Sequence, residues 1–198
     1  MSKKYIIISV LISIIIGCVL GATAELALIY EIDWLINITQ SLMFWAIITA
    51  LIAIFSKGYI LSMVNPILSL LSMNATYYLI RLGMSGYTNM GAWLYWFNFM
   101  AIFAGLYIGS VISYFKEFIK PKNKRNKIPK YNSIFMTIGA VSAELLSPYL
   151  VRLPLFRNQS VYWIMFFMLV GMIIGTIIGY VRNKKVKVIE ENKWKEQY

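Results

Sequence analysis

Residues 5–30 read YIIISVLISIIIGCVLGATAELALIY, an apolar stretch that holds a single charge, Glu25, near its end. A helix needs roughly 20 predominantly apolar residues to cross the hydrocarbon core of a bilayer, and this run is longer. Lys3 and Lys4 precede it as they would in a signal peptide. The run nevertheless continues past Cys18 to Tyr30, with no small-residue cleavage context before a soluble chain. It is expected to be a retained first transmembrane helix. Working outward, further spans are expected at about 41–56, 59–81, 92–115, 133–153 and 161–181. The second is short, and Trp34 to Gln40 would extend it into the interface. Pro66 would kink the third, and Pro148 and Pro154 would unwind the far end of the fifth. Sixty per cent of the residues are hydrophobic and mean hydropathy is +0.68, so no soluble stretch is long enough to bury its own core. The expected fold is an all-α integral membrane protein, a single membrane domain over residues 1–198. Its six transmembrane helices form three helical hairpins, at about 5–56, 59–115 and 133–181.

Lys and Arg set the orientation. Of the nineteen basic residues, all but Arg81, Arg152 and Arg157 fall on one side: Lys3, Lys4, Lys57, the run Lys116–Lys130 and the tail 182–198. The first loop on the opposite side holds Glu31 and Asp33 and no base. By the positive-inside rule both termini are expected in the cytoplasm. The net charge of +11 is then a topological signal, and nucleic acid is not an expected partner. The basic loop 116–132 carries Lys122, Lys124, Arg125 and Lys127 between Pro121 and Pro129. It is expected to meet anionic lipid head groups, at roughly 1 kcal/mol per base, or a cytoplasmic protein subunit. The abundance of Ile, Lys and Asn suggests an AT-rich genome, and hence the plasma membrane of a bacterium.

The chain also resembles itself. A shift of 119 residues lays the first hairpin on the last without a gap: Ala24-Glu25-Leu26 meets Ala143-Glu144-Leu145, Tyr30 meets Tyr149, and Gln40-Ser41 meets Gln159-Ser160. Apolar sequence matches Leu and Ile by chance far more readily than Glu, Tyr and Gln in one register. A weaker match at a shift of 49 puts Glu25 on Asn74 and Gln40 on Asn89. The two shifts imply an offset of 70, which lays Gly105 and Gly109 on Gly175 and Gly179. Three copies of one hairpin are expected, the first and third most clearly related.

Small residues recur every fourth position in three spans: Ser9, Ser13, Gly17 and Gly21; Ala101, Gly105, Gly109 and Ser113; Gly171, Gly175 and Gly179. Such faces let helix backbones approach closely. They serve either internal packing or docking of another membrane subunit, and the face of Ser13, Gly17 and Gly21, which ends at Glu25, is the best docking candidate. Trp93, Trp96 and Trp163 fit an interfacial aromatic belt. Cys18 is expected to be a small packing residue.

Charged and amide side chains within spans mark functional or paired structural sites. Glu25, Asn74, Arg81, Glu144 and Arg152 all fall toward the non-cytoplasmic ends of their helices. Three hairpins about one axis would aim Glu25, Asn74 and Glu144 at a shared polar vestibule with Arg81 and Arg152 nearby. Its walls would come from Tyr77, Tyr78, Trp93, Trp96 and Asn98. The alternative is structural salt bridges, such as Glu144 with Arg81 or Arg152. The chain contains no histidine, which removes histidine general bases, histidine metal ligands and Ser-His or Cys-His pairs. Nucleotide and hydrolase fingerprints are missing too. Neither an enzyme nor a metal or cofactor protein is expected.

These features point to a membrane-embedded component that binds or transports a small molecule through Glu25, Asn74, Arg81, Trp93, Glu144 and Arg152. A non-catalytic accessory, immunity or scaffold protein acting through a partner subunit is the alternative. In size, helix count and cytoplasmic termini the chain resembles the substrate-binding subunits of energy-coupling-factor vitamin transporters. That resemblance implies that the first-helix face meets a transmembrane coupling subunit and that ATP is hydrolysed on other chains. It carries no ligand motif and no residue roles.

Overall fold

The computed structural model describes residues 2–85, 91–121, 125–150 and 160–196, and every regular element among them is helical. In chain order these are α1 (Lys3–Ile29), α2 (Asp33–Thr39), α3 (Leu42–Phe55), α4 (Tyr59–Ser85), α5 (Gly91–Ile119), α6 (Ile128–Leu150) and α7 (Ser160–Glu196). They belong to two compact units, residues 1–112 and 113–198.

In the first unit α4 is the helix on which the others pack. Gly17 of α1 sits against the Ser69 carbonyl and Gly21 against that of Met73. Asn65 Nδ2 donates to Ser9 Oγ at 2.7 Å, and Ser72 Oγ donates to the Ile14 carbonyl at 3.1 Å. The contacts climb both helices together, so α1 and α4 run parallel. Two parallel helices require the chain to return between them, and α2 and α3 make that return. The α3–α4 turn needs Gly58, at φ +80°, a conformation that favours glycine. At its start α2 is set by a Schellman turn: Ile32 N–H reaches the Ala27 carbonyl at 2.9 Å with Glu31 left-handed at φ 52°. The bend of 59° between α2 and α3 is tied by Trp45 Nε1, which donates to the Thr39 carbonyl at 2.6 Å. On α5, Gly105 lies against Ile67, and Gly109 against the Ser62 carbonyl and Met63, so α5 runs antiparallel to α4. Pro66 supplies no N–H to the Ser62 carbonyl, and α4 nonetheless stays one helix.

In the second unit α6 and α7 form an antiparallel pair with glycines on both sides of the seam. Gly139 meets the Phe167 carbonyl, Gly171 that of Phe135 and Gly175 that of Tyr131. The connection from α5 folds back on Glu117, whose carboxylate takes Lys120 Nζ and the Asn126 N–H. Asn183 locks the start of α6 to α7, accepting from the Lys127 N–H at 3.0 Å and donating to Asn126 Oδ1 at 2.8 Å. α6 continues through Pro148 to Leu150, so the expected unwinding at Pro148 does not occur; Pro154 lies outside the described residues.

The distribution of side chains is inverted relative to a water-soluble protein. Largest among the fully buried side chains are Met136, Asn65, Asn132, Pro66, Pro129 and Ser62. Ile and Leu face outward: on α1, Ile8, Leu11, Ile15 and Val19 are exposed, while Ser13, Gly17, Gly21, Ala24 and Glu25 are buried. This pattern suits a solvent of lipid, where polar groups find partners inside the bundle and apolar ones need none. Among the described residues three helices are long and apolar enough to cross a bilayer: α1, α5 over Phe97–Ile119, and α7 over Ile164–Lys184. The bent pair α2–α3 makes a fourth if it counts as one span. α4 falls short because its Ser62, Asn65, Ser69 and Asn74 serve the contacts with its neighbours.

The hairpin repeat has a mixed counterpart. At the shift of 119 three buried positions coincide, Ser13 with Asn132, Gly17 with Met136 and Ala24 with Ala143, but buried Glu25 falls on exposed Glu144 and buried Ala27 on exposed Leu146. Partners differ, however, since α1 packs on the parallel α4 and α6 on the antiparallel α7. At the offset of 70, Gly105 meets Ile67 but Gly175 meets Tyr131 and Asn132, over a turn from the equivalent Thr137. The face of Ser13, Gly17 and Gly21 packs inside the chain, against α4, and is not an open docking surface.

A methyl group distinguishes seam from surface. Gly17→Ala places a Cβ into the Ser69 carbonyl and is expected to lower stability in a fixed micelle by about 1–3 kcal/mol. Gly83→Ala meets nothing within 4 Å and should leave stability unchanged or raise it by up to about 1 kcal/mol. Thermal unfolding of the two variants under identical conditions checks the difference in sign.

Candidate functional site

Helical periodicity on two helices builds one cavity. On α4, Leu70, Met73, Asn74, Tyr77, Tyr78 and Arg81 recur at three- and four-residue steps and so share a face. On α5, Phe97, Met100, Ala101, Ala104, Tyr107 and Ile108 do the same. Between them, with Ala24 and Leu28 of α1 and with Thr39, Gln40, Trp45, Ala46 and Thr49 from the α2–α3 arm, lies a cavity of about 880 Å³. That volume is within the range of small-molecule sites, and the lining has their usual make-up, mostly apolar with a few polar groups.

The polar groups do not all face a ligand. Thr49 Oγ1 donates to the Trp45 carbonyl at 2.6 Å and Thr39 Oγ1 to that of Leu35 at 2.9 Å, each within its own helix. Trp45 Nε1 is taken by the Thr39 carbonyl, and Asn74 Nδ2 donates to Asn98 Oδ1 at 3.3 Å. The other polar side chains of the described lining are Gln40, Tyr77, Tyr78, Arg81 and Tyr107.

Arg81 is held from behind. Its Nη1 donates to the Tyr77 hydroxyl at 3.0 Å, its guanidinium lies 5.8 Å from the Tyr77 ring centroid, and the Tyr77 and Tyr78 rings meet edge-on. Nε stands 3.9 Å from Glu25 Oε1, an ion pair without a direct hydrogen bond. The Arg81 side chain is 40% exposed and that of Glu25 5%, so the carboxylate is the buried partner. Its second oxygen, Oε2, has no hydrogen-bond partner. Glu25 therefore balances the charge of Arg81 without lining the cavity itself.

Of the residues expected to form the site, the structure brings Glu25, Asn74 and Arg81 together in the first unit. Glu144 lies in the second unit, exposed on α6. The Trp93 side chain and all of Arg152 lie outside the described residues. Arg81 pairs with Glu25, a pairing that the sequence did not single out. Gln40, Trp45, Thr49 and Tyr107 were not expected; the run 70, 73, 74, 77, 78, 81 on α4 is the periodic signal that leads to the cavity. Among the described residues no three His, Cys, Asp or Glu side chains gather as a metal site. No protein-family model, no curated protein and no solved structure matches the chain.

Removing one partner of a buried ion pair strands the other. Arg81→Gln is expected to lower stability by about 1–3 kcal/mol, less than for a fully buried pair because Arg81 is partly exposed. Adding Glu25→Gln should restore part of that loss, as a double-mutant cycle of unfolding measurements would read.

Proposed function

We propose that the chain is a non-catalytic, multi-pass protein of the bacterial plasma membrane that binds or carries a small molecule in the cavity among α1–α5. The observation that supports this reading most is the cavity itself: about 880 Å³, apolar over most of its wall, with Gln40, Tyr77, Tyr78, Arg81 and Tyr107 among its polar lining. All six long helices are taken as spans in this reading, α2–α3 as one bent span and α4 as a polar span shielded by its neighbours. The placement of Lys and Arg puts both termini in the cytoplasm and the Glu25 end of α1 on the far side. The parallel α1–α4 pair and the antiparallel α5 are compatible with that order of crossings. The basic connection 116–132 then faces anionic lipid or a cytoplasmic subunit.

Filling the cavity tests the proposal. Ala104 lines it from α5, and Ala104→Phe projects a ring into the space. Native mass spectrometry of protein extracted from its own membrane should show a retained small molecule on the wild type and at least about tenfold less on the variant. Equal retention by a folded Ala104→Phe protein would remove the cavity from consideration.

A further inference from the structure

Residues 116–130, which connect α5 to α6, hold seven Lys and Arg against one acid, Glu117. Glu117 is spent inside the turn, on Lys120 Nζ and the Asn126 N–H. Asn126 and Lys127 are tied in turn to Asn183 of α7. Within this frame Arg125 is folded back along α5. Its Nε donates to the Lys120 carbonyl at 2.6 Å, and its guanidinium lies 5.1 Å from the centroid of the Phe118 ring. Phe118 belongs to the last turn of the apolar stretch Phe97–Ile119, where it, Phe115 and Ile119 are all exposed. A base that lies well beyond Ile119 in sequence is thus brought back level with the end of that stretch. The geometry points to a site for an anionic phospholipid, with its phosphate on the Arg125 guanidinium and its acyl chains along Phe118 and Phe115.

Chemistry, charge and depth each favour that occupant. A guanidinium can keep its face on an aromatic ring while its edge takes phosphate oxygens in a planar fork. The surplus of base around Arg125 attracts a head group of net negative charge, whereas the cation of a zwitterionic lipid would face that same surplus. Depth separates a lipid from a cytoplasmic protein. A soluble partner stops at the head groups, but Phe115 and Phe118 lie within the stretch that α5 contributes to the hydrocarbon. A lipid carries its phosphate directly above the chains that would cover those two rings. Such a site presupposes that α5 crosses the bilayer, as proposed above, and owes nothing to the cavity.

Phenylglyoxal, an uncharged arginine reagent, tests the site on the full chain in nanodiscs of phosphatidylcholine, with and without phosphatidylglycerol. Peptide mass spectrometry reads Arg125, and Arg182, exposed on α7, serves as the reference. With phosphatidylglycerol present Arg125 should react at least about fivefold more slowly, and Arg182 less than about twofold. Glycerol 3-phosphate added to phosphatidylcholine discs should protect neither. Arg125→Lys keeps the charge but loses the fork and the stack, and should retain at least about threefold less phosphatidylglycerol in native mass spectrometry. Lys4→Gln, which removes a base elsewhere, should retain as much as the wild type. Equal slowing of the two arginines, or an equal loss with Lys4→Gln, would reduce the site to diffuse surface charge and overturn it. Protection by glycerol 3-phosphate would make the ligand a free phosphate, and no effect of phosphatidylglycerol would turn the connection over to a cytoplasmic protein; either contradicts the lipid site. A nitroxide at Phe115 reads the crossing separately. Strong relaxation by oxygen there without protection of Arg125 sinks the lipid site alone, whereas a Phe115 position in water takes the α5 span with it.

Discussion

Lipid gives helices no hydrophobic reason to associate, so the first unit depends on how closely backbones approach α4. Gly17 and Gly21 bring α1 onto one side of it, and Gly105 and Gly109 bring α5 onto another. Each is a place where a Cβ would strike a carbonyl or a neighbouring backbone. Into these seams α4 inserts its polar side chains. Asn65, 1% exposed, reaches both Ser9 of α1 and Ser56 at the end of α3, so one amide joins three helices. Such a group is stable in a bilayer only when its hydrogen bonds are made inside the protein. The polarity that removes α4 from a list of obvious spans is thus what lets it serve as the centre.

The same arrangement opens the cavity. Toward Asn74 and Arg81 the cavity-facing side chains are Tyr77 and Tyr78 on α4 and Phe97 and Met100 on α5, while the Asn74–Asn98 hydrogen bond still joins the two helices. The α2–α3 arm, fixed in its bend by the Trp45–Thr39 hydrogen bond, closes one wall. Glu25 belongs to the packed end of α1 and Arg81 to the open face of α4, and the parallel sense of those two helices is what makes them neighbours.

Much of this was legible in the sequence. The long apolar helices, the placement of Glu25, Asn74 and Arg81 near one end, and the close-packing role open to the glycine ladders all follow from composition and period. What the sequence could not supply was partnership. Adjacent spans suggest an α1–α3 hairpin, whereas Gly17 and Gly21 select α4, two crossings later. For that reason Arg81 finds Glu25, and the Ser13, Gly17 and Gly21 face is spent on internal packing. At the shift of 119 residues only part of the buried face of α1 recurs on α6, since Glu25 is buried and Glu144 exposed, and a buried face does not specify which helix will cover it. Gln40 and Thr49 carry no charge and no motif, so only three-dimensional placement could bring them to a cavity.

The central claim is that the apolar faces turn outward into lipid around a polar interior. Nitroxide labels at Leu11, Ile15 and Val19, all exposed on α1 and opposite its seam with α4, test it directly in nanodiscs. Strong relaxation by dissolved oxygen, which concentrates in the hydrocarbon, and almost none by a water-soluble nickel chelate are expected at all three sites. Strong nickel relaxation at Ile15, with weak oxygen relaxation, would place that face in water and contradict the account.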